Sequence, residues 1–99
     1  MIELTSKQRK VLEKIAVELN PVVIVGQNGI SDSVENQIVP CLNNHELIKI
    51  KFNEYKDEKK ELALELSKQI DCTLVRVIGN IAILYKESDD PEKQNHYLG

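Results

Sequence analysis

The sequence predicts a compact α/β domain in the order α-β-α-β-α-β-β, with a four-stranded mixed sheet packed by helices. Three observations carry this. Helical apolar stripes alternate with short β-branched runs along the chain. Turn chemistry separates them: Asn20-Pro21, Gly26-Gln27-Asn28-Gly29 and Gly79-Asn80. The 99-residue length allows one core.

The first helix is expected over residues 6–19. Thr5 and Gln8 stand at capping-box spacing. Val11, Leu12, Ile15, Ala16 and Leu19 form its apolar stripe, and Pro21 pushes Asn20 out of helical space. Pro21–Val25 is short and apolar throughout, which predicts a strand buried on both faces. Ser31 can cap a second helix reaching about Asn44, with Val34, Ile38, Val39 and Leu42 inside and a kink at Pro40. Leu47–Phe52 alternates as a half-exposed strand, with Lys49 and Lys51 on its outer side. Asp57 is the expected cap of a third helix built on Leu62, Leu66 and Ile70. Thr73–Ile78 and Ile81–Tyr85 then pair around Gly79-Asn80, a two-residue type II′ turn. These elements make residues 1–86 one domain, and residues 87–99, polar and without periodicity, an acidic mobile tail.

Charge narrows the function classes. The net charge is −3, but residues 87–99 hold four acids against one lysine, so the twelve basic and twelve acidic side chains before them balance. A phosphate-binding surface needs a local basic face rather than a basic total. Four aromatic residues, with no Trp, argue against a broad base-stacking platform. No apolar run approaches a membrane span, and the N-terminus lacks a signal peptide's apolar stretch, so a cytoplasmic location is expected. Cys41 and Cys72 stand apart as reduced thiols. His45 and His96 join no metal-ligand cluster, and no nucleophile elbow or phosphate-loop fingerprint occurs. No catalytic residue, metal, cofactor or small-molecule substrate is therefore expected.

The candidate site is a binding surface. Gly26-Gln27-Asn28-Gly29 links a strand to a helix start, where free N–H groups and the helix dipole favour an anion. Asn28-Gly29 is equally an ordinary turn pair, and Asp32 lies one turn away. Lys7, Lys10 and Lys14 share a helical face with Arg9 beside it, although such lysines commonly mark only a solvated surface. Lys49 and Lys51 extend this basic set, or else guard a sheet edge against aggregation; Arg76 and Lys86 could widen it. Lys56, Lys59 and Lys60 alternate with acids and read as a neutral solvated cluster, while Tyr55, Tyr85 and Tyr97 are candidates for stacking.

Four segments, in order and at matching spacing, resemble the YhbY family, the free-standing form of the CRM domain (chloroplast RNA splicing and ribosome maturation). They are Thr5–Arg9, Pro21–Ile30, His45–Lys51, and Val77–Asn80 followed by Leu84–Lys86. The resemblance covers residues 4–87. It implies an RNA-binding fold similar to the C-terminal domain of a bacterial translation initiation factor, with the GxxG loop at Gly26–Gly29. It further implies a non-catalytic assembly factor on ribosomal RNA in precursors of the large (50S) subunit, with ribosomal proteins nearby. A monomer is expected. Gln27 stands where relatives often carry a basic residue, Ala16-Val17 replaces a frequent Ala-His pair, and Glu13 and Pro40 also depart from the pattern. The competing expectation is a protein-interaction module that docks on a ribosomal protein or an assembly GTPase.

Overall fold

In the computed structural model, which describes residues 3–98, the chain runs α1 (Ser6–Ala16), β1 (Pro21–Val25), α2 (Asp32–His45), β2 (Leu47–Phe52), α3 (Lys59–Gln69), β3 (Thr73–Ile78) and β4 (Ile81–Tyr85), followed by a 3₁₀ turn at Pro91–Lys93. The sheet order is β1-β2-β4-β3. β1 and β2 are parallel, whereas β4 is antiparallel to both of its neighbours, β2 and β3. The mixed sheet follows from the connections: α2 permits a parallel return, and the two-residue Gly79-Asn80 link permits only a hairpin. Gly79 has φ +57° while Asn80 is not among the positive-φ residues, as a type II′ turn requires.

Helices cover both faces of the sheet. On one, α2 and α3 bury Val23, Val25, Ile48, Ile50, Phe52, Ala82 and Leu84 together with Ile38, Leu42 and Leu66. On the other, α1 alone packs Leu12 and Ala16 against Leu47, Val75, Ile83 and Tyr85. The capping box at the head of α1 forms as its spacing predicts: Gln8 N–H donates to the Thr5 hydroxyl, and the Gln8 side chain accepts from Thr5 N–H.

Several expectations change once the strands are placed. β1 lies at the sheet edge and only one of its faces is covered, so Val22 and Ile24 on the other remain 45% and 56% exposed. Its apolar run resembles a buried strand because periodicity alone cannot tell which face a helix will cover. β2 is interior, so Lys49 and Lys51 are not edge lysines. The regular helix of α1 ends at Ala16, and Glu18 and Leu19 continue with tighter bonds to Ile15 and Ala16 carbonyls. The cap position of α3 is Glu58, without a side-chain cap bond, because Tyr55–Glu58 closes a turn just before it. α2 runs through Pro40 to His45, with Pro40 on its exposed side.

Residues 87–98 lie against the domain. Glu46, only 1% exposed, accepts hydrogen bonds from Ser88 N–H (2.6 Å) and Asn95 N–H (2.6 Å), and from the Asn95 side-chain amide at 3.1 Å. Lys93 Nζ reaches Asn44 Oδ1 at 2.7 Å. Tyr97 and Leu98 add to the apolar cluster under α1.

Candidate nucleic-acid interface

The Gly26–Gly29 segment forms a tight turn between β1 and α2. Gly29 N–H donates to the Gly26 carbonyl at 3.0 Å, which leaves the N–H groups of Gln27 and Asn28 outside that bond at the exposed tip. Gly29 has φ +64°, a conformation that glycine adopts without the steric penalty of a side chain. It is also packed: a Cβ there would sit 3.4 Å from the Tyr55 ring. The Tyr55 hydroxyl donates to the Gln27 carbonyl, and Asn53 N–H donates to the Val25 carbonyl at 3.0 Å. The turn is thus held from below and presents its tip outward.

Tyr55 is a supporting residue that the sequence could not identify. Its hydroxyl and one ring face are engaged by the turn although it stays 41% exposed. The Gly-x-x-Gly spacing marks the turn, whereas its strut comes from 26 residues or more downstream. Beyond the turn, Ser31 caps α2 by accepting from Val34 N–H at 3.3 Å. Asp32 and Glu35 occupy the first turn of α2 and reduce the positive potential there.

The structure divides the expected basic residues. Lys7, Lys10 and Lys14 are exposed on α1. Arg9 leaves that face: its Nη1 donates to the carbonyls of Leu74 (3.1 Å) and Val75, where β3 is bulged. Lys49 is half-buried and its ammonium donates to the Leu19 carbonyl at 3.0 Å, tying the end of α1 to β2. Lys51 is exposed and sits in the ladder row Ile24–Lys51–Ile81–Ile78, which crosses all four strands. Arg76 pairs with Glu13 at 3.2 Å.

Of the tyrosines, Tyr85 is buried against the sheet, and burial pushes its phenol above the ordinary tyrosine value. Burial likewise pushes the Cys72 thiol up to about 12. Among the described residues no group of three or more His, Cys, Asp or Glu side chains could hold a metal ion, and no helix is long and apolar enough to cross a membrane.

Comparison with known proteins places the chain among its relatives. A Haemophilus influenzae RNA-binding protein is 37% identical, over 95% of this chain and 96% of its own length. A Bacillus subtilis protein named as a probable RNA-binding protein is 38% identical, over 88% of this chain and 92% of its own length. Among solved structures, a hypothetical Staphylococcus aureus protein for which RNA binding has been suggested superposes with a TM-score of 0.78 at 36% identity, covering 94% of this chain and 98% of that one. The family model of the CRS1/YhbY (CRM) domain matches residues 4–86. The chain belongs to the CRS1/YhbY (CRM) domain family.

Proposed function

We propose that this protein is a non-catalytic RNA-binding protein that acts in the cytoplasm on ribosomal RNA during assembly of the large ribosomal subunit. The observation that carries the reading is the Gly26–Gly29 turn: its tip is exposed, its two central N–H groups lie outside the turn bond, and Tyr55 braces it from beneath. A phosphate can approach the Gly26 side of this tip closely because no Cβ projects there and the space beside it is open. Lys7, Lys10, Lys14 and Lys51 supply exposed charge, which favours backbone contact over base reading. Arg9 and Lys49 contribute less directly, since both are already committed to main-chain carbonyls.

The test is binding to large-subunit ribosomal RNA fragments across a salt series. Gly29→Asp is a poor probe because it combines charge with positive-φ strain at a residue packed on Tyr55. Asn28→Asp places the same charge at the exposed tip without that strain. Salt-dependent binding that Asn28→Asp weakens ~10-fold or more supports phosphate recognition at the turn. Equal binding by both proteins removes the turn from the site.

A second reading, docking on a ribosomal protein or assembly GTPase, is favoured by the open β1 edge with its exposed Val22 and Ile24. Association with pre-ribosomal particles that survives nuclease treatment selects it over the first.

A further inference from the structure

We propose that the cleft between α1, α3 and the outer strand β3 is a second phosphate-binding tract for the same RNA. This rests on the RNA-binding reading and adds a contact area outside the Gly26–Gly29 turn. Among the described residues, Arg9, Lys59, Lys60 and Arg76 line a cleft of about 650 Å³ and no carboxylate does. These cations come from three elements and lie up to 67 positions apart, so only the fold assembles them. Glu13 on α1, outside this lining, pairs with Arg76 and offsets one of the four charges.

The position of the lysines is informative. Lys59 and Lys60 are the first two residues of α3, at the end where the helix dipole disfavours cations. The dipole does not stabilise them there, and both line the cleft. Its floor is aliphatic, with Leu64 and Leu74, and among the described residues no aromatic side chain lines it. A surface of this kind holds phosphates and offers no stacking partner for bases.

RNA backbone suits the cleft better than an added peptide strand. Strand addition needs free main-chain groups on the edge. Arg9 already occupies the carbonyls of Leu74 and Val75, while its remaining guanidinium donors are left for a ligand. The cleft also lies at the same end of the sheet as the Gly26–Gly29 turn. Lys59 Nζ is 3.5 Å from Asn80 Oδ1, the Asn80 carbonyl accepts from Phe52 N–H, and Asn53 N–H donates to Val25 just before the turn. With strands ~4.8 Å apart, the four-stranded sheet separates the two areas by roughly 14 Å. One RNA backbone can span that width.

The experiment measures binding of a large-subunit ribosomal RNA fragment across a salt series for wild type, Asn28→Asp, the Lys59→Gln/Lys60→Gln double variant and Glu13→Gln. The double variant is expected to keep its thermal midpoint, lose ~10-fold or more in affinity and flatten the salt dependence by about two units of slope. Glu13→Gln, which frees Arg76, is expected to tighten binding severalfold. If wild type binds and Asn28→Asp weakens it while the double variant and Glu13→Gln match wild type, the tract is wrong and the turn stands. If wild type fails to bind RNA at low salt, both readings fall together. If short acidic peptides bind the cleft and compete no RNA away, the ligand class is wrong.

Discussion

The two ends of the sheet are built for different tasks. At the end where β2 and β3 begin, main-chain groups are closed off: Glu46 gathers Ser88 and Asn95, its own carbonyl accepts from Lys86 N–H at 2.9 Å, and Lys49 reaches back to Leu19. At the other end, the Gly26–Gly29 turn, the Asn53–Glu58 segment and the Gly79-Asn80 hairpin present polar tips above a buried Phe52. That open end is where the parallel strands β1 and β2 finish, the usual side for ligands in α/β folds. One end spends its polar groups on holding the chain together, and the other keeps them available.

The contrast can be broken most strongly from beneath the open end. Phe52 is fully buried, and Phe52→Ala is expected to cost about 3–5 kcal/mol in chemical denaturation by removing packing and leaving a cavity. A loss under 1 kcal/mol would mean that the loops do not rest on this side chain. At the closed end, Glu46→Ala removes the acceptor for two main-chain N–H groups and is expected to cost about 2–3 kcal/mol. Hydrogen exchange at Ser88 and Asn95 should accelerate in that variant, while Gly29 N–H keeps its rate. Equal acceleration at both places would erase the distinction between the ends.

The smallest effect concerns the cysteines. Cys72 is 1% exposed, and burial pushes its thiol to about 12, whereas Cys41 is half-buried. A thiol reagent at pH 8 should modify Cys41 in the native state and Cys72 only upon unfolding. Because the folded value is raised, the contribution of the neutral Cys72 thiol is fully present below pH 9 and is lost as pH rises towards 12. Equal reactivity of the two thiols would contradict the packing at the start of β3.

Local signals were legible where a short-range rule decides the conformation. The Thr5–Gln8 capping box, the Ser31 cap and the Gly79-Asn80 hairpin each depend on residues within a few positions, and each forms as read. The boundaries of β3 and β4 also match, since a turn glycine fixes them from both sides. The misread features depend on distant neighbours. Pro21–Val25 could not reveal that one of its two faces would stay uncovered. Lys59 and Lys60 looked neutral beside Asp57, Glu58 and Glu61, yet the fold turns them towards Arg9 and Arg76.

The sequence by itself determined the order of elements, the single α/β domain, the family and the turn that anchors the candidate interface. These follow from periodicity, caps and glycines, all of which act over a few residues. Only the tertiary structure decided the strand order, the commitment of Arg9 and Lys49 to carbonyls, the Tyr55 brace and the cationic cleft. Each of those joins residues far apart in the chain, and such contacts are selected by which surfaces can bury together rather than by any local pattern.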